Sequence, residues 1–147
     1  MKINTLRTTL LLIVSVLILH SCKQEGCTDK NASNYSSDAD KDDGTCTYKG
    51  EVVFWYGESV SSYLTILQSN SLTFYVDGVI VGSTASSVYW TSAPSCNSNA
   101  SITVEKDLGL VKSKESTYRV INEDGLTLWE GQVTFVANTC TTFQLTL

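Results

Sequence analysis

Three textures of hydrophobic and polar positions follow one another along the chain. Residues 10–19 form an apolar run interrupted only by Ser15. Residues 26–48 carry almost no large apolar side chain and are rich in Asp, Asn, Ser and Lys. From Glu51 onward, short β-branched and aromatic runs are separated by Gly, Asn, Asp and Ser, the texture of an all-β sandwich or barrel.

Alternation places the strands of this last region. VVFWY at 52–56 predicts a first strand, and SLTFYV at 71–76, then Asp77-Gly78, then VIV at 79–81 predicts a hairpin, because Asp-Gly suits the positive φ angles of a type I′ turn. SITVE at 101–105 alternates with Ile102 and Val104 inward, and STYRVI at 116–121 and LTLWE at 126–130 flank a turn at Glu123-Asp124-Gly125. Residues 131–136 and 141–147 supply two closing strands. No stretch after the leader holds a sizeable apolar stripe of helical period, and residues 61–68 and 82–93 read as strands or strand-connecting loops. The expected fold is therefore an all-β, antiparallel sandwich at 50–147, preceded by a small acidic segment at 27–48.

The apolar run near the N-terminus follows Lys2 and Arg7. It has about half the roughly 20 residues of a bilayer-spanning helix, so residues 1–21 read as a secretory signal peptide. The run ends in Leu19-His20-Ser21-Cys22, which resembles a bacterial lipoprotein lipobox, with His20 departing from the small residue usual at its position. The resemblance implies that Cys22 carries a lipid, that residues 22–26 form a tether, and that the protein resides in the bacterial envelope. Its partner is then the outer membrane, with possible exposure at the cell surface.

Removal of the leader leaves 8 basic against 15 acidic residues, a formal net charge of −7 compared with −5 for the whole sequence. That sign disfavours nucleic acid, whose phosphates require clustered Lys and Arg. It also removes His20, the only histidine. Catalytic constellations built on imidazole and zinc sites that use it are excluded by inventory. Setting Cys22 aside leaves four cysteines at spacings of 19, 50 and 44 residues. No close Cys pair suits zinc, whereas an even number in an oxidising compartment suits disulfides. Local pairing is expected, Cys27 with Cys46 and Cys96 with Cys140. Either other connectivity would tie the acidic segment covalently into the β domain.

Between Cys27 and Cys46 lie five aspartates, Asp29, Asp38, Asp40, Asp42 and Asp43, offset by only two lysines. Calcium is the one cofactor such a segment suits, since it takes six to eight oxygen ligands, and these five are its candidate ligands. EF-hand spacing is missed: counting from Asp38, the sixth position is Asp43 where the loop needs Gly, and the twelfth is Lys49. The competing reading is a solvated acidic turn in which Asp and Asn side chains bond local backbone.

Cys27, Thr28, Asp29, Ala32, Asn34, Tyr35, Ala39, Asp42, Asp43, Gly44 and Cys46 resemble a short module of secreted and surface proteins of Bacteroidetes. The β region, with its early Phe-Trp strand, VDG hairpin, Trp-x-Gly strand and late cysteine, is similar to transthyretin-like or carboxypeptidase-regulatory-like lipoprotein domains, an Ig-like sandwich being the other expectation. The resemblance implies a structural or binding role in adhesion or assembly, without catalysis. Glu123 and Asp124 are adjacent acids but build a turn, so they are not expected to act as an acid-base pair.

The alternative is a carbohydrate-binding accessory module. Trp55, Trp90 and Trp129 with Tyr56, Tyr75, Tyr89 and Tyr118 could supply a stacking face, although aromatics at alternating strand positions more often form core and rim. Tyr89 and Trp90, in the stretch before Pro94, are the candidate ligand-facing pair.

Overall fold

A computed structural model describes residues 23–147. The expected signal peptide at 1–21 and the lipid-bearing Cys22 lie outside the described residues.

The described chain is mostly strand with one short helix. In order it forms β1 (Glu25–Gly26), β2 (Lys41–Asp42), β3 (Tyr48–Trp55), α1 (Glu58–Ile66), β4 (Ser71–Val76), β5 (Val79–Ala85), β6 (Ile102–Gly109), β7 (Ser113–Asn122), β8 (Thr127–Val136) and β9 (Cys140–Gln144). The seven long strands make two sheets, β6-β3-β9 and β5-β4-β7-β8, while β1 and β2 form a separate two-residue parallel ladder. The larger sheet is antiparallel throughout. The smaller is mixed, with β3 antiparallel to β6 but parallel to β9, a departure from the uniformly antiparallel expectation. Alternation sets which side chains face inward and is silent about strand direction.

The two sheets pack face to face over one core. Val52 and Phe54 from β3, Val104 and Leu108 from β6, Leu72, Phe74 and Val76 from β4, Val120 from β7, and Val133 and Phe135 from β8 are all buried in it. Phe54 is its aromatic centre, with ring centroids 5.8 Å from Phe74, 5.6 Å from Tyr118 and 5.5 Å from Phe143. At the N-terminal end of β3 the sheets come so close that a Cβ on Gly50 would stand 2.6 Å from the Val136 carbonyl oxygen, so this position admits no side chain without a backbone shift. Residues 23–147 contain this core and both disulfides, so the span carries what it needs to fold on its own.

The β4–β5 hairpin turns as its sequence predicts, with φ of +48° at Asp77 and +77° at Gly78. Asp77 also fastens the turn to its surroundings, accepting the Thr117 N–H at 3.0 Å and pairing with Lys106. The strands expected at 126–130 and 131–136 are one ten-residue strand, β8. Gly131 sits mid-strand opposite Tyr118, whose ring would lie 3.1 Å from an added Cβ, so the aromatic covers the glycine and the ladder continues.

Residues 61–68, expected as strand or loop, instead belong largely to α1. Val60 and Leu64 are buried one helical turn apart, with Ser61 beside them donating its hydroxyl to the Ser86 carbonyl at 2.8 Å. The helix ends in a Schellman arrangement: Ser69 N–H bonds the Leu64 carbonyl and Gln68 N–H that of Thr65, both at 3.0 Å. Gln68 takes the left-handed position at φ +58°, where glycine would have announced the stop.

Residues 86–101 cross the outer face of the small sheet. The Cys96–Cys140 disulfide pins this crossing to β9, where Cys140 stands opposite Glu51. Asn97 donates its side-chain Nδ2–H to the Glu51 carboxylate at 2.8 Å and its backbone N–H to the Thr103 hydroxyl oxygen at 2.9 Å. Val53 shares that outer face and is fully buried although its neighbours Val52 and Phe54 point into the main core.

Candidate functional site

The acidic segment is ordered by bonds between its own limbs. Asn34 bridges them, donating Nδ2–H to the Thr45 carbonyl at 2.7 Å and accepting the Thr47 N–H at 2.8 Å. Ser33 N–H reaches the Thr47 carbonyl at 2.7 Å, and Ser36 N–H reaches that of Cys27 at 2.9 Å. The Cys27–Cys46 disulfide, Cα atoms 4.9 Å apart, closes the base of the loop. Both cysteines are buried and belong to the same core as the sheets, together with Tyr48. Since β3 begins at Tyr48, the segment at 27–48 runs without a break into the sandwich.

Asp29 makes the decisive contact. Its carboxylate accepts the Asn31 N–H at 2.9 Å, the Tyr48 hydroxyl at 2.9 Å and the Lys112 ammonium at 2.6 Å. Lys112 lies in the β6–β7 connection and also stands 5.5 Å from the Tyr48 ring centroid. The Lys112 hydrogen bond first, then the Asn31 and Tyr48 donors, hold the Asp29 carboxyl down to about 2. A carboxylate with three protein donors, one of them an ammonium, is employed in joining the segment to the sandwich.

The other four aspartates are distributed around the loop. Asp42 accepts the Gly44 N–H at 3.0 Å, and Asp43 accepts both the N–H and hydroxyl of Thr45, at 2.9 and 2.6 Å. These are the local side-chain-to-backbone turns of the solvated reading, and the Thr45 hydroxyl is the chief cause of the lowered Asp43 carboxyl. Asp38 and Asp40 are exposed, and Asp38 meets only the Ser37 hydroxyl, at 3.4 Å. Among the described residues no three His, Cys, Asp or Glu side chains converge in a way that could hold a metal ion. The five candidate calcium ligands are thus not brought together.

The aromatics are also dispersed. Trp90 is half-buried, its backbone N–H donates to the Tyr56 carbonyl at 3.0 Å, and it lines a cavity of about 10 Å³ with Trp55, Phe54 and Phe74. Tyr89 beside it is exposed. Trp129 lies elsewhere, its Nε1–H bonded to the Thr146 carbonyl at 2.8 Å. Tyr75 has Arg119 over its ring at 4.9 Å, which covers the face a sugar would stack upon. The three tryptophans therefore share no open row.

The acids Glu123 and Asp124 separate in role. Glu123 clamps the start of β4, accepting N–H groups from Asn70 at 2.7 Å and Ser71 at 3.1 Å. Backbone donation from Asn70, followed by the other backbone donors of this turn, holds its carboxyl down to about 2. Sequence reasoning found neither this clamp nor the Tyr48–Lys112 partnership of Asp29, since 53 residues separate Asn70 from Glu123 and no local pattern encodes such a pairing.

One further concavity opens at the opposite end of the sandwich from the acidic segment. Tyr63 and Leu67 of the α1 region, Leu126 before β8, Trp129, and Leu147 line an apolar groove of about 640 Å³. Comparison with protein-family models, with curated proteins and with solved structures gave no match.

Proposed function

We propose that the chain is a lipid-anchored protein of the bacterial envelope, carried to the outer membrane and held there through Cys22, with a structural or binding role in adhesion or assembly. The observation that carries this reading is the union of the N-terminal segment with one end of the sandwich. Cys27–Cys46 and the Asn34 bridge hold the limbs of residues 27–48 together, and the Asp29–Tyr48–Lys112 contact joins the segment to the strand ends at Tyr48 and Ser113. A chain tethered through residues 22–26 would then present the α1 end of the sandwich away from the membrane. The role is non-catalytic: of the two adjacent acids, Glu123 has its carboxylate engaged by the Asn70 and Ser71 N–H groups.

The strand order favours the transthyretin-like form of the sandwich. Here the first long strand, β3, pairs with β6 and β9, whereas the first strand of an immunoglobulin constant-type domain pairs with the second. Anchoring is tested by Cys22→Ser in a host that processes lipoproteins. The wild-type chain is expected in the membrane fraction and the variant in the soluble envelope fraction; equal membrane association of the two would contradict the reading.

A further inference from the structure

We propose that the apolar groove at the α1 end docks a protein segment whose contacting face is apolar and whose flanks are basic. The apolar half of the argument is exposure. Leu126 is 59 % and Leu147 70 % accessible, and Tyr63 and Leu67 are exposed beside them, with Ile66 at 77 % on the same helix. Tyr63, Leu67, Leu126 and Leu147 line a continuous groove, and burying them against a partner supplies the desolvation that anchors an interface.

The charge half comes from where the cations are. The sequence has no Lys or Arg between Lys49 and Lys106, and none after Arg119. Lys49 pairs in register with Asp107 and Lys106 with Gly50, both toward the Tyr48 end of β3, and Lys114 stands near the start of β7. Lys112 is held by Asp29, and Arg119 lies mid-sheet over Tyr75. The α1 end therefore carries Glu58 at the helix start and Glu123 and Asp124 in the β7–β8 turn, with no basic side chain from the surrounding segments.

This one-signed surround selects the occupant. A second copy docked groove to groove would set acids against acids, and an anionic lipid surface would meet the same repulsion. A segment with apolar anchors and flanking Lys or Arg satisfies both halves, as amphipathic helices do when laid in grooves, and the opposite charges also favour encounter. The proposal deepens the binding role proposed above and rests on it. Its test leaves anchoring aside, so failure here and failure of the Cys22 experiment are distinguishable.

The experiment uses isotope-labelled residues 23–147 and two 18-residue helical peptides with identical Leu positions, one carrying Lys and the other Glu at its polar positions. The Leu/Lys peptide is expected to shift resonances of Tyr63, Leu67, Leu126 and Trp129, and to bind at least about tenfold more tightly than the Leu/Glu peptide. Leu126→Ser should weaken it, and Asp124→Lys should reduce its advantage, with both variants melting as the wild type does. Equal binding of the two peptides would overturn the proposal. So would shifts confined to residues 29–43, groove-mediated dimerisation without peptide, or groove binding to phosphatidylglycerol vesicles.

Discussion

Replacing Cys96 and Cys140 together by serine is expected to lower stability by about 4 kcal/mol, from the chain entropy released when a loop of about 45 residues is no longer closed. Their sequence separation is 44. The location adds to the effect, because the bond pins the 86–101 crossing over the outer face of β6-β3-β9. Val53 is fully buried there and outside the main core. If the crossing lifts, Val53 meets water, and the loss includes part of a buried Val, about 1.5 kcal/mol or more for a whole side chain. Denaturant unfolding of the double variant against wild type measures this, with a fall in melting temperature on the order of 15 °C. A loss under about 1 kcal/mol would show that the crossing holds to the sheet without its disulfide.

Phe54→Ala is expected to cost about 3–5 kcal/mol, the range for deleting a buried aromatic. Phe54 meets Phe74 across the sandwich and touches Tyr118 and Phe143, while Tyr118 and Phe143 pack against each other at 4.9 Å. Its removal leaves a void walled by three rings, of which Tyr118 and Phe143 hold each other in place, so collapse into the space is limited. The midpoint denaturant concentration should fall with little change in slope. A cost below about 1.5 kcal/mol would mean that these rings repack freely.

Much of the all-β fold was legible because its information is local. Alternation in SLTFYV and the Asp-Gly pair encode the β4–β5 hairpin, and the disulfide pairing follows the expected local connectivity. The helix was harder to read. It has nine residues, begins after Gly57 without a side-chain cap, and stops at Gln68 in a left-handed conformation, so neither end carries a strong residue signal. Val60, Tyr63, Leu64 and Leu67 nonetheless hold the helical spacing. The boundary expected between residues 130 and 131 is absent, Gly131 being a paired mid-strand glycine covered by Tyr118.

The candidate site was less legible than the fold. Five aspartates between two cysteines suggest a metal from composition, yet a ligand set is a matter of convergence in space. Asp29 is turned to Tyr48 and Lys112, while Asp42 and Asp43 face backbone one turn away. Lys112 lies far along the sequence, in a connection with no pattern to mark it as a partner. Tyr89 and Trp90 share a sequence position in effect but not an environment, one exposed and the other packed beside Tyr56.

The central claim is that the acidic segment is ordered by its disulfide, by Asn34 and by Asp29's hold on the sandwich. Amide hydrogen exchange on residues 23–147, followed by NMR first in EDTA and then in millimolar calcium, tests it most directly. The amides of Ser33, Ser36 and Thr47 are expected to be protected without metal, and their rates unchanged when calcium is added. Free exchange of these three amides in EDTA, with protection appearing only on addition of calcium, would contradict the account.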